Sequence, residues 1–193
     1  ACAMSSKIAA IASVTGAMSQ YTQLICNPTH PTPVMEIHGT ADLTVPFNDI
    51  ISGLDYWRLY NNCNLTADTI IIPDIVLNDM STVEHIVYNN GDNGVTVELF
   101  KVINGDHSWP GSMFPFGITN YDIDASVEIW NFFSKYDIHG LINTSTLVTE
   151  IERTSKTLVK VVDVLGRESL PISNLPLFYI FDDGSVEKKL IIR

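Results

Sequence analysis

Several things are scarce in this sequence, and each scarcity excludes something. Basic side chains are few: 11 Lys and Arg stand against 22 Asp and Glu, for a net charge of −11. That balance argues against a nucleic-acid partner, whose phosphates must be met by Lys and Arg. Long apolar runs are missing too. Stretches such as Ile8–Val14 have strand length, far below the roughly 20 residues that cross a bilayer as a helix, so no transmembrane segment is expected. His30, His38, His85 and His139 are scattered, and Cys2, Cys26 and Cys63 show no ligand spacing. No metal centre is therefore expected, and no cofactor. Three cysteines allow one disulfide with one thiol left over, or three buried thiols; the sequence leaves both open.

What is present reads as an ordinary globular chain, with 46% hydrophobic and 17% charged residues. At 193 residues it has the size of one domain, or of one domain with a small appendage. The charge is unevenly spread. Residues 1–148 hold 15 acids and 4 bases, whereas residues 149–193 hold 7 of each. That break supports a boundary near residues 140–148, which gives an α/β unit over 1–140, a linker over 141–155 and a small all-β module over 156–193.

Within the first unit, Ala1–Ser6 reads as the end of a helix, and Ile8–Val14 as a parallel strand covered on both faces. Residues Thr22–Thr32 read as loop, with Asn27-Pro28 and Pro31-Thr32-Pro33 as breakers. Val34–His38 is the next strand, ended by Gly39. Ile51–Asn62 has a helical rhythm through Ile51, Leu54 and Trp57, with Leu59 on its flank. Thr69–Ile75 is extended. Glu84–Tyr88 and Val95–Ile103 flank the hairpin signal Asn89–Gly94; that loop lacks the terminal glutamate of a calcium site. Asp124 caps a helix through Val127, Ile129, Trp130 and Phe133. In the tail, Thr157–Val164 is strand-like, and Phe178–Phe181 with Val186–Ile192 forms a hairpin around Asp182-Asp183-Gly184-Ser185. Strands alternating with helices predict an α/β sheet whose ligand site lies beyond the strand C-termini.

Two segments sit where that site should be. His38-Gly39-Thr40-Ala41-Asp42-Leu43-Thr44-Val45-Pro46 puts an aspartate on a turn after a buried strand. Gly105-Asp106-His107-Ser108-Trp109-Pro110-Gly111 puts a histidine in the same setting, 65 positions after Asp42. An acid followed by a histidine, each at a strand end, is the back half of a Ser…Asp…His order. Asp42 is the candidate acid, able to accept the Nδ1–H of His107 and to stabilise the imidazolium formed in proton transfer. His107 is the candidate general base, and Trp109 offers an apolar wall for an acyl or aromatic group together with an indole donor. Asp106 favours a protonated imidazole if it points inward and is idle if it points to water. The front half is missing: no Gly-x-Ser-x-Gly occurs, and Ser5, Ser6 and Ser13 sit on no such elbow. The nucleophile is therefore expected upstream of Ala1, and these residues alone are expected to show little or no catalysis. A doubly covered sheet cut there is expected to expose a long apolar edge and uncovered faces, and so to aggregate or to need its missing half.

The combination of His-Gly-Thr-Ala-Asp-x-x-Val-Pro-Phe, Tyr-Trp-Arg-x-Tyr-Asn-Asn-Cys and Gly-Asp-His-Ser-Trp-Pro-Gly resembles secreted esterases of the polyhydroxybutyrate depolymerase and feruloyl esterase type. That group overlaps carbohydrate esterase family 1. The likeness spans about residues 1–138; it implies the C-terminal portion of an α/β-hydrolase sheet, an ester substrate, Asp42 as triad acid and His107 as general base. One departure is Asp106, where many of that group carry Gly. Lys156–Glu168 together with Phe178–Lys189 resembles the C-terminal sorting domains of type IX secretion cargo in Bacteroidetes. That second likeness implies a β-sandwich-like module, recognition by the secretion machinery through residues 156–193, and a secreted or cell-surface protein.

Overall fold

The parallel core of the fold begins in a strand with no exposed face. In the computed structural model, which describes residues 1–142, 157–170, 176–182 and 184–190, all six residues of Val34–Gly39 are buried. The chain divides into two units, Ala1–Ile142 and Asn143–Arg193.

The first unit is a broadly α/β arrangement. In chain order it contains β1 (Ile11–Val14), α1 (Gln20–Ile25), β2 (Val34–Gly39), α2 (Phe47–Tyr60), β3 (Asp68–Ile71), β4 (Thr82–Tyr88), β5 (Val97–Ile103) and α3 (Ala125–Phe133), then the short pair β6 (Tyr136–Asp137) and β7 (Gly140–Leu141). Five strands form one sheet in the order β1-β2-β5-β4-β3. β1, β2 and β5 run parallel, with Ile37 opposite Phe100 and Gly39 opposite Val102. β4 and β3 add on antiparallel. β2 and β5 are adjacent in the sheet although 57 residues of helix and hairpin separate their ends in the chain.

Two cores cover the two faces. Met35, Ile37, Phe100 and Val102 pack with Phe132, Ala125 and Tyr136 on the α3 side. Val34, Val97 and Leu99 pack with Ile50, Leu54 and Trp57 of α2 on the other. Strand side chains alternate between faces, so Val34, Glu36 and His38 share the α2 face. Two polar groups thus lie inside a strand that is otherwise apolar.

Several expectations are corrected in detail. β1 is shorter than Ile8–Val14 and only half-buried, because it is the outer strand of the sheet. The stretch read as loop, Thr22–Thr32, starts inside α1, which is opened by Ser19, whose side chain accepts from the Thr22 amide; this is the usual N-cap bond. Helix α2 buries Ile50, Gly53, Leu54 and Trp57, while Ile51 and Leu59 face outward. Leu54 and Trp57 are buried as expected, and the helix starts at Phe47, so that Ile50 and not Ile51 extends the buried stripe. In α3 Asp124 caps through the Ser126 and Val127 amides. The buried positions there are Ala125 and Phe132, whereas Val127 and Trp130 are exposed.

The second unit is a three-stranded antiparallel sheet of β8 (Leu158–Val162), β9 (Pro176–Phe181) and β10 (Val186–Leu190), with β9 in the middle. Among its described residues, Val162 and Leu177 are the buried apolar ones. Of the expected linker, residues 143–155 lie outside the described residues, as does Asp183 of the expected turn. No helix among the described residues is long and apolar enough to cross a membrane.

Cys2 and Cys26 form a disulfide, and Cys63 is a buried free thiol. The bridge closes a loop with a sequence separation of 24 that holds the N-terminal segment against the end of α1. By loop-closure entropy it is worth about 3.5 kcal/mol. Replacing both cysteines with serine should lower the urea-unfolding free energy by roughly that amount; a loss below about 1 kcal/mol would show that the unfolded chain is not restrained by the bridge.

Candidate active site

The C-terminal ends of the parallel strands β1, β2 and β5 lie at one edge of the sheet, where ligand sites of open α/β sheets form. The turn after β2 carries Asp42 and the turn after β5 carries His107. They meet because their backbones come unusually close. The Ala41 amide donates to the Gly105 carbonyl at 3.0 Å, and the Asn104 amide donates to Thr40 Oγ1 at 2.9 Å. A Cβ on Gly39 would fall 2.1 Å from the Gly105 oxygen and 2.7 Å from that of Asp106. Backbone atoms cannot swing aside as a flexible side chain does, so only glycine permits this approach.

His107 Nδ1 lies 2.9 Å from Asp42 Oδ2. Asp42 is an acceptor here, so Nδ1 carries the hydrogen and donates it. The other carboxylate oxygen, Oδ1, accepts from the amides of Thr44 and Val45, both at 2.8 Å. This Asx-type turn fixes the carboxylate plane. The Asp42 side chain is fully buried, whereas that of His107 is one-third exposed. Burial alone would raise the Asp42 pKa, but the Val45 amide, His107 and the Thr44 amide outweigh it and hold the carboxyl below the usual aspartate range.

His107 Nε2 is free of hydrogen-bond partners among the described residues. The imidazole is thus oriented on one side and open on the other, as a proton acceptor for an incoming group must be. The Asp106 carboxylate bonds across its own loop and not to the imidazole. Its Oδ2 accepts from the Ile118 amide at 2.7 Å, and its backbone amide donates to the Ile118 carbonyl. It therefore clasps the far end of the His107 loop. Gly117, at φ +64°, leaves the room that this carboxylate needs. Trp109 is half-exposed beside His107, and its indole N–H is already engaged by Ser126 Oγ at 3.2 Å. Its ring face stays available to a ligand, but its donor does not.

The structure adds two residues that the sequence reading passed over. His38, read only as one of several scattered histidines, is fully buried; its Nε2 lies 3.3 Å from Asp42 Oδ2 and 2.9 Å from the Val45 carbonyl. Its Nδ1 lies 3.0 Å from Glu36 Oε1. Burial pushes the Glu36 carboxyl up, against hydrogen bonds from His38, Ser13 and the Gly16 backbone. Burial works the other way on His38, but its bonds to Glu36 and the Val45 carbonyl, with the charges of Glu36 and Asp42, raise it. A signal existed: Glu36-x-His38 places two polar groups on one face of a doubly covered strand, where each must find a partner.

Among the described residues no group of three or more His, Cys, Asp or Glu side chains is placed to hold a metal ion. No protein-family model matches the sequence, and no curated protein matches it either.

Because its folded-state pKa is lowered, ionised Asp42 stabilises the folded unit above its ordinary titration range. That stabilisation is lost as pH falls through the depressed folded value. The stability gap between the native protein and Asp42→Asn should therefore be widest near pH 7 and shrink below about pH 4. Urea denaturation at the two pH values measures it, and a gap independent of pH would contradict the assigned charge.

Proposed function

We propose that the first unit is the C-terminal portion of an α/β-hydrolase sheet and carries the acid and the general base of a serine-dependent carboxylic-ester hydrolase. The observation that carries the reading is His107, held through Nδ1 by a buried carboxylate while Nε2 stays open. In the proposed mechanism a serine hydroxyl, presented to Nε2 by polypeptide outside residues 1–193, attacks the ester carbonyl. His107 takes the serine proton and then gives it to the departing alcohol. Asp42 holds the ring in the Nδ1–H tautomer and offsets the positive charge that forms on it. Trp109 borders the space where the acyl group would lie. The substrate class that fits the likeness of the motifs is a polyester, or a feruloylated or acetylated polysaccharide.

The second unit is proposed to be a type IX secretion sorting module, and the protein to be secreted or displayed at the cell surface. The Cys2–Cys26 disulfide supports an oxidising destination. A reporter fused to residues 143–193 should then reach the medium or the surface of a bacterium that has this export route, and should stay in the periplasm of a mutant lacking it. Equal release from both strains would refute the assignment.

One observation favours a second reading, a catalytically inactive hydrolase remnant that serves as a binding or cargo module. No hydroxyl among the described residues reaches His107 Nε2, and no Gly-x-Ser-x-Gly is present. Kinetics separate the two readings. In a protein that joins these residues to the serine-bearing polypeptide, His107→Ala should lower kcat for a short p-nitrophenyl ester by about 10⁴-fold or more. Residues 1–193 alone should give no burst of p-nitrophenol. Turnover of the joined protein that survives His107→Ala would overturn the esterase reading.

A further inference from the structure

We propose that His38 and Glu36 are positioning residues of the Asp42–His107 pair, a second, wholly buried imidazole–carboxylate couple that locks an N–H onto the turn carrying the acid. The proposal rests on the reading of Asp42 and His107 as an acid–base pair.

His38 Nε2 faces two atoms, the Val45 carbonyl at 2.9 Å and Asp42 Oδ2 at 3.3 Å. A carbonyl only accepts, and so does an ionised carboxylate. Asp42 Oδ2 already takes the His107 Nδ1–H. Nε2 must therefore carry a hydrogen, since a bare nitrogen there would set three lone-pair-bearing atoms against one another in a site closed to water.

The remaining nitrogen, Nδ1, is 3.0 Å from Glu36 Oε1. With the Nε2–H required by its two acceptors, two proton arrangements satisfy that contact. A protonated Glu36 donates to a neutral His38, or an ionised Glu36 accepts from a protonated one. Nε2–H is kept in both, so the donor persists whichever way the shared proton lies. Ser13 and the Gly16 backbone also hydrogen-bond the Glu36 carboxyl and hold its orientation.

The consequence reaches Asp42 by two routes. Directly, the Nε2–H lies beside the oxygen that receives His107. Indirectly, it anchors Val45, whose own amide donates to Asp42 Oδ1 at 2.8 Å. One imidazole thus ties both ends of the Asp42–Val45 turn. Other groups near the His38 ring do not compete for it. The Phe47 ring meets it edge-on with centroids 6.1 Å apart. Lys101, its register neighbour on β5, is bound to Glu84 Oε2 at 3.0 Å. His38 is confined to acting through Asp42, because it is 0% exposed and touches no space a substrate could enter.

Long-range ¹H–¹⁵N NMR of the 193-residue chain labelled at histidine tests this. Native protein should show His38 protonated at Nε2, and a slowly exchanging His107 Nδ1–H. In His38→Leu and Glu36→Leu that His107 signal should exchange faster by about tenfold, what one net hydrogen bond is worth. Glu36→Gln, whose amide can donate to Nδ1, should restore the native rate. A native His38 with a bare Nε2 overturns the proposal, and this needs no variant to fold. So does an unchanged His107 exchange rate in leucine variants that keep their far-ultraviolet circular dichroism. Failure of the underlying reading looks different: His107 would lack an Nδ1–H in the native protein while His38 still carried its Nε2–H.

Discussion

The close approach of two backbones, at Gly39 and Gly105, is the constraint on which the site depends. β2 and β5 are neighbours in the sheet, but their connection wanders through α2 and the β3–β4 pair before it returns. Closing so long a loop costs entropy that local contacts do not repay. The repayment comes from the parallel ladder and the two cores, whose side chains on β2 and β5 are buried on both faces. At the end of that ladder Gly39 has no Cβ, and the turns after the strands sit backbone against backbone. An acid and an imidazole far apart in sequence can then hydrogen-bond with neither turn stretched. Any side chain at Gly39 would separate them before it disturbed the core.

Much of this was legible from residues. A strand ending in His-Gly, a turn aspartate, and a later turn histidine on a Gly-bracketed loop pointed to Asp42 and His107, and the structure brings those two within hydrogen-bonding distance. The helix cap at Asp124 was legible because capping chemistry is local: the carboxylate bonds amides two and three residues ahead. The edge of a buried stripe was not. In α2 the sequence offers Ile50 and Ile51 side by side, and only the sheet decides which is buried; it takes Ile50. Helix α1 was hidden by the prolines that follow it, since breakers mark where a helix stops and not whether one precedes them.

The role of His38 was hidden for a different reason. A buried histidine is read by its partners, and its partners here come from the same strand and from the next turn. Asp106 shows the converse. Its place beside His107 in sequence invites an electrostatic role, yet its carboxylate bonds the Ile118 amide across the loop. Adjacency along a chain fixes a Cα spacing; the direction of a side chain is set by which unsatisfied amide lies within reach.

The acidity of the first unit ties these details together. With 4 Lys and Arg in residues 1–148, buried carboxylates pair with histidine. Glu36 pairs with His38, Asp42 with His107, and Glu98 with His85 at 2.8 Å. The three couples share a chemistry and differ in surroundings. Glu98 is held low by His85 and Lys135 despite its burial, whereas at Glu36 burial outweighs the bonds from His38, Ser13 and the Gly16 backbone and pushes it up. The imidazoles differ more. His38 is bonded at both nitrogens within the protein, and His85 is stacked on Phe100 with its ring centroid 4.0 Å away. Only the His107 couple combines a fully buried carboxylate with an imidazole one-third exposed and a free second nitrogen among the described residues. Pairing a histidine with a carboxylate is therefore this unit's general answer to burying acids. The couple with the most exposed imidazole is the one that the Gly39 contact leaves at the rim of the sheet.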